Sequence, residues 1–381
     1  MPPPLTLYIH IPWCVQKCLY CDFNSYTKPN LIPETRFINA LLQDLEQDLA
    51  LATTSQILTS IFIGGGTPSL LSGDGIWRLL TGIQALLPYN NSTEITLEAN
   101  PGTADSERFL AYKASGVNRL SLGIQSFDSK QLRTLGRIHS RTEIYQAYVH
   151  AKEAGLSNVN LDLMFGLPGQ TPRSAVLDLV QAVELRPEHI SWYQLTIEPN
   201  TPLYQKVGSL SLPGETIMLA IQRQGQYYLA TQGFKQYEVS AYAYGTYRCF
   251  HNLNYWQFGD YIGIGPGAHG KFMDLDGNVR RIAKLSNPWD YLTRLENNLS
   301  VTKSQILSDQ DIFVEFLFNA LRLKEGFSLG LFEARTGLSK DYLVTKLLPA
   351  QSRGLVSLDG EQVQATSKGY QLLNQLLLIL L

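Results

Sequence analysis

The stretch Tyr8-Ile-His10-Ile-Pro12-Trp13-Cys14-Val-Gln-Lys-Cys18-Leu-Tyr20-Cys21 holds three of the four cysteines in a chain of 381 residues. The fourth, Cys249, lies far away in sequence. Chance rarely crowds three such scarce residues into so short a run, so the spacing points to a metal. Thiolates are soft ligands suited to iron–sulfur clusters and to zinc. A zinc knuckle takes a nearby fourth Cys or His, commonly as a second C-x2-C pair, and none follows Cys21 closely. A cubane cluster on three thiolates leaves one iron without a protein ligand, open to a substrate or cofactor. The spacing is therefore read as an iron–sulfur cluster on Cys14, Cys18 and Cys21.

Outward from this loop, apolar runs alternate with helical patterns. Strands are predicted at Thr6–Ile11, Ile57–Ile63, Glu94–Leu97, Arg119–Ile124, Val159–Met164 and His189–Leu195. Between the first two, Phe37, Leu41, Leu45 and Leu49 recur every four residues, the stripe of an amphipathic helix. Further helices are predicted at Asp105–Ser115, Thr142–Ala154, Pro172–Leu185 and Glu215–Thr231. Strand–helix alternation argues for parallel strands joined by right-handed crossovers. The expected fold class is α/β, a partial, open (β/α)6 barrel of TIM-like type.

In such barrels the C-terminal strand ends carry the chemistry. Here Gly64-Gly65-Gly66-Thr67 follows the second strand, Glu98 the third and Gln125 the fourth, while Asp162 lies in the fifth. Glycines let backbone approach a charged ligand without a Cβ clash, and Glu98 suits an ammonium group or ribose hydroxyls. Singly, each feature also fits a connecting turn or a buried ion pair; together they read as one site. Gly265-Pro-Gly267-Ala-His269-Gly270 spells a dinucleotide-binding pattern, but Lys271-Phe-Met-Asp274-Leu-Asp276-Gly277 reads as a strand and turn where that fold needs a helix. Those glycines are taken as a tight loop.

The C-x3-C-x2-C run with Tyr20 before its last cysteine, flanked by Tyr8-x-His10-x-Pro12-Trp13, resembles the radical S-adenosylmethionine (SAM) enzymes. Within them it is similar to the subfamily of oxygen-independent coproporphyrinogen III oxidases, HemN, and the HemW haem chaperones, along nearly the whole chain. The resemblance implies a [4Fe–4S] cluster whose free iron chelates SAM, with an electron donor for the cluster. It implies cofactor contacts from Tyr8, Tyr20, Gly65, Gly66, Thr67, Glu98, Gln125, Arg137 and Asp162. Three marks favour the chaperone side. Phe23 stands where HemN proteins carry a further cysteine, and only a short segment precedes Cys14 where they have a long arm. Cys249-Phe-His251-Asn252-Leu-Asn254-Tyr255-Trp256 carries the HNxxYW pattern of the HemW proteins. The resemblance thus implies haem as cargo and haem-accepting proteins as partners, with a coproporphyrinogen oxidase as the alternative. Thiolate and imidazole are common haem ligands. Cys249 and His251, two apart on an expected strand, would face one side; the alternative is a hydrogen-bonded structural node.

Apolar residues make up 44% of the chain and charged ones 17%, an ordinary globular balance. The net charge of −2 argues against nonspecific nucleic-acid binding. The start lacks a signal-peptide pattern and cysteines are few, which suits the cytoplasm. The apolar tail 372–381 is too short to span a bilayer and is expected to pack as a terminal helix, leaving membrane contact at most transient. Residues 1–297 are expected to form the barrel with its cluster loop and an extension. Residues 298–381 are expected to form a small helical, winged-helix-like domain that lacks the clustered basic residues of DNA binders.

Overall fold

The computed structural model describes residues 3–52, 57–103 and 105–380. Strand β1 (Leu5–Ile11) leads into the cysteine loop, which is pinned by a short parallel pair, β2 (Trp13–Cys14) and β3 (Tyr26–Thr27). Helix α1 (Glu34–Leu49) buries Phe37, Leu41 and Leu45, the stripe read from the sequence. There follow β4 (Leu58–Gly65), α2 (Gly73–Leu86), β5 (Tyr89–Ala99), α3 (Ser106–Ala114) and β6 (Arg119–Gln125). Then come α4 (Ser129–Leu135), α5 (Arg141–Glu153), β7 (Asn158–Phe165), α6 (Pro172–Glu184), β8 (His189–Gln194) and α7 (Glu215–Thr231). Helix starts are set locally: Ser140 and Glu143 cap α5 reciprocally, and Thr171 caps α6 with Pro172 in its first turn.

The last barrel-side elements are β9 (Phe234–Gln236), β10 (Ala241–Tyr244), α8 (Phe250–Trp256), β11 (Asp260–Ile264), β12 (His269–Met273), β13 (Val279–Lys284), α9 (Pro288–Glu296) and β14 (Thr302–Ile306). One sheet runs β14-β13-β12-β11-β1-β4-β5-β6-β7-β8-β10-β9. The six expected strands pair in parallel, and β11 adds a seventh on the far side of β1. The flanks are antiparallel. Parallel strands covered on both faces read as nearly unbroken apolar runs, and Leu7, Ile9, Ile61, Ile63, Leu120, Leu122, Leu161 and Leu163 are fully buried in one core.

Past residue 297 the large sheet continues. Strand β14 still pairs with β13 in the large sheet, and a second core starts only at Leu307, apart from Phe258, which packs into it from the loop after α8. That core is built by α10 (Asp309–Ala320), β15 (Phe327–Ser328), α11 (Leu329–Thr336), α12 (Lys340–Ser352), the hairpin β16 (Val356–Asp359) and β17 (Gln362–Ala365), α13 (Ser367–Gln371) and α14 (Leu373–Leu380). Helix α14 buries Leu376, Leu377 and Leu380 there. Among the described residues no helix is long and apolar enough to cross a membrane.

One buried ionic node ties the antiparallel flank to the barrel. Lys284 Nζ donates to Asp44 Oδ1 and Asp48 Oδ1, each at 2.6 Å, and to Thr302 Oγ1 at 2.7 Å, with all three charged side chains sealed from solvent. Asp44 Oδ2 also accepts from the Tyr291 hydroxyl and from Gly265 N. Breaking such a node leaves uncompensated buried charge. We predict that Lys284→Met lowers unfolding stability by about 3–5 kcal/mol in urea denaturation; an unchanged midpoint contradicts that role.

Candidate functional site

The cysteine loop is held against the rim by main-chain bonds. Tyr26 N donates to Pro12 O and Lys28 N to Cys14 O, fixing Cys14; Leu19 N donates to Leu135 O and Leu203 N to Leu19 O, fixing the turn between Cys18 and Cys21. Below it, Gly66 N donates to Ile11 O and Thr67 N to Trp13 O. A Cβ on Gly66 would lie 2.6 Å from Trp13 O, and one on Gly65, whose φ is +109°, would lie 2.6 Å from the His10 ring. Only glycine allows the second strand end to pass so close beneath the loop.

The result is a cavity of about 490 Å³. It is lined by Cys14, Cys18 and Cys21 with Tyr20, Gly65, Gly66, Thr67, Glu98, Gln125, Arg137 and Asp162, so most of the residues singled out in the sequence share one wall. Burial raises the Cys14 and Cys21 thiols. Arg137 emerges from α4 just past Gly136, which takes the left-handed conformation at the helix end. Its guanidinium donates to Cys18 Sγ at 3.4 Å, to Asn100 Oδ1 at 2.5 Å and to Gly123 O. Asn100 in turn donates to Thr67 Oγ1 at 3.0 Å. Among the described residues no three Cys, His, Asp or Glu side chains converge on a single ion's position, whereas a tetrahedral zinc site needs its sulfurs about 3.8 Å apart, as follows from a Zn–S bond of about 2.3 Å. Three soft donors lining one cavity, Cys14, Cys18 and Cys21, fit a multi-iron cluster, which would take each thiolate at a separate iron.

The carboxylates sit on the strand ends. Glu98 Oε2 accepts from Gly65 N at 3.1 Å; burial, reinforced by nearby Asp162, pushes its carboxyl up to about 8. Asp162 is raised by burial and accepts from Ser121 Oγ and Asn160 Nδ2, each at 2.8 Å. Gln125 holds a left-handed backbone, φ 72°, at the end of β6, and its Oε1 accepts from the Tyr193 hydroxyl at 2.6 Å. A non-glycine residue held there is strained, a device that clusters at ligand sites. Asn100 and Tyr193 carry no motif of their own; Asn100 follows β5 directly after the strand end that bears Glu98, whereas Tyr193 lies within β8, whose end the sequence did not mark.

Tyr8, Cys249 and His251 lie elsewhere. Tyr8 and His251 face a second cavity of about 250 Å³ inside the barrel, shared with Arg119, Asn160, Asn252 and Tyr255, while Glu98, Ser121 and Asp162 line both cavities. The expected strand around Cys249 is corrected: Cys249 is the N-cap of α8 and His251 lies in its first turn, so the two do not share a strand face. The cause is Glu94, whose carboxylate accepts from Phe250 N, His251 N and Cys249 Sγ and so meets the free N–H groups of a helix start. Both side chains are fully buried. Both His251 ring nitrogens are engaged, Nδ1 with Ser60 Oγ and Nε2 with the Tyr255 hydroxyl, each at 2.9 Å. Burial lowers His251 to about 3 and raises Cys249 to about 12. In this conformation the pair forms the hydrogen-bonded node that the sequence left as the alternative to haem ligation.

Residues 8–180 match the Radical SAM superfamily and residues 307–372 the HemN C-terminal domain. The chain is 47% identical to the heme chaperone HemW of Escherichia coli (strain K12), over 98% of this chain and 97% of that protein. It is 47% identical, over the same shares, to the heme chaperone HemW of Haemophilus influenzae. It is 34% identical to the mitochondrial radical S-adenosyl methionine domain-containing protein 1 of Bos taurus, over 98% of this chain and 87% of that one. Its fold matches the coproporphyrinogen III oxidase HemN of Escherichia coli with a TM-score of 0.82, over 100% of this chain and 90% of that one, at 23% identity.

The glycine passage gives a direct test. Gly65→Ala should cost about 1–3 kcal/mol from backbone strain alone, read as a lower urea midpoint, because the added methyl group also meets the His10 ring. Stability equal to the parent chain would refute the close passage.

Proposed function

Because the chain belongs to the radical SAM superfamily, and within it to the family of HemW heme chaperones, we propose that it binds a [4Fe–4S] cluster and SAM and carries haem to acceptor proteins. The observation that carries this reading is the single cavity in which three thiols, a glycine passage and the rim groups Thr67, Glu98, Gln125, Arg137 and Asp162 meet. The cluster, when bound to Cys14, Cys18 and Cys21, supplies one-electron reduction and an iron open to the amino and carboxylate groups of SAM. The chain's own residues do the rest. Arg137 places a fixed positive charge beside Cys18, Gly65 and Gly66 bring bare backbone to the ligand, and Glu98 offers a carboxyl sheltered from water. Tyr8 underlies this rim through His10, whose Nδ1 meets the Tyr8 hydroxyl at 2.9 Å and whose Nε2 meets Asn24 O at 2.8 Å. Phe23 lines the same cavity and is 59% exposed, an apolar surface at its mouth in place of a thiol.

Anaerobic reconstitution tests the whole reading. The triple variant Cys14→Ala, Cys18→Ala, Cys21→Ala should lose iron, sulfide and the brown absorbance. The reconstituted parent chain, given SAM, reductant and coproporphyrinogen III, should release no carbon dioxide above background yet bind haem. Steady decarboxylation would move the protein to the oxidase class.

Glu98 predicts a pH dependence. Its folded-state value of about 8 means the carboxyl is neutral below that pH. SAM carries a permanent sulfonium charge that favours the carboxylate, so binding releases a proton. Affinity should therefore rise with pH from 6 towards 8 and then flatten. Calorimetry in buffers of different ionisation heat reads the proton release, and Glu98→Gln should remove that component; an identical pH profile in the variant excludes Glu98.

A further inference from the structure

The inference rests on the haem-carrier reading and concerns where the iron of the haem is held. Axial ligation needs an imidazole nitrogen with a free lone pair, on a side chain that a planar macrocycle can reach. The chain has six histidines. His10, His189 and His251 are buried with both ring nitrogens engaged: His10 with Tyr8 and Asn24, His189 with Asn160 and Tyr237, His251 with Ser60 and Tyr255. His139 is buried, with Nε2 on Ile124 O at 3.2 Å. His150 lies on α5 in the helical layer. His269 differs from all of these: it is exposed, and no hydrogen bond among the described residues reaches its ring.

Its position is equally specific. His269 opens β12 where the chain crosses over Gly263: a Cβ on Gly263 would lie 1.9 Å from His269 O, and Gly263 pairs with Tyr8 of β1. The start of β12 therefore lies over the sheet face that carries Tyr8 and His10. The loop before it leans on the cysteine loop. Asn24 Nδ2 donates to Pro266 O and to Ser286 O, each at 2.8 Å, and a Cβ on Gly267 would lie 2.4 Å from that same amide. Phe23, next to Asn24, and Trp289, in the first turn of the helix after Ser286, are both half exposed, so two apolar rings flank this lip. Lys17 Nζ rests on Phe23 O at 3.1 Å, which adds a cation at the edge. A free imidazole, exposed aromatic rings and a lysine match the iron, the apolar macrocycle and a propionate in turn.

We propose that His269 is the axial ligand of the haem cargo, which docks on the lip of the larger cavity against Phe23 with Lys17 near a propionate. This places the cargo beside the proposed cluster and SAM rather than in the barrel interior behind His251.

Haemin titration into the reconstituted chain tests the assignment. The parent chain should show a shifted Soret band. In His269→Ala the band should move again and the affinity fall by about tenfold or more, while iron–sulfur content stays the same and added imidazole restores the parent spectrum. Phe23→Ala should weaken binding without moving the band, and His251→Gln should match the parent. A His269→Ala variant with the parent's spectrum and affinity overturns the proposal, as does an imidazole-rescued loss confined to His251→Gln. A parent chain that takes up no haemin overturns the carrier reading itself, and this assignment with it.

Discussion

Two carbonyl oxygens, those of Ile11 and Trp13, accept the N–H groups of Gly66 and Thr67, and the position of the site depends on that crossing. It is the point where the first strand, the cysteine loop and the second strand end meet with no side chain between them. Remove the bareness of the glycines and the loop must lift away from the rim, carrying Cys14 with it. Everything above the sheet is then set by shorter ties: the Cys14 carbonyl bonded to Lys28, Leu19 held between Leu135 and Leu203, and Arg137 reaching from the end of α4 to Cys18, Asn100 and Gly123.

A large share of this was legible in the sequence because it rests on local signals. Six strands announced themselves as apolar runs, and the strand ends that bear Glu98, Gln125 and the glycines came with them. The turn between β16 and β17 likewise carries its own local signal, Asp359-Gly360, and Gly360 adopts a positive φ. What stayed hidden depends on distant partners. Strand β11 joins the sheet beside β1 from far along the chain, and nothing in its own residues says so. Helix α2 contains Gly73, Gly75 and Gly82, poor helix formers. At Gly82 a Cβ would lie 2.4 Å from Leu42, so that glycine serves the packing of α2 on α1.

The segment around His251 shows the limit from another side. Over so few residues a period of two and a period of 3.6 cannot be told apart, so a strand and a short helix fit equally well. The deciding group is Glu94, on β5, whose carboxylate gathers three donors at the helix start. A buried acceptor contributed by a remote strand leaves no mark in the residues it organises. The position of β14 has the same origin: its exposed polar sequence pairs with β13, so the large sheet ends later than the composition suggested.

The wall formed by Glu98, Ser121 and Asp162 belongs to both cavities. Whatever occupies the larger one therefore rests on groups that also border the smaller, where the buried Nε of Arg119 has no hydrogen-bond partner. A change of charge or position in that shared wall is felt on both sides of it, so the two cavities are electrostatically one neighbourhood rather than two independent sites.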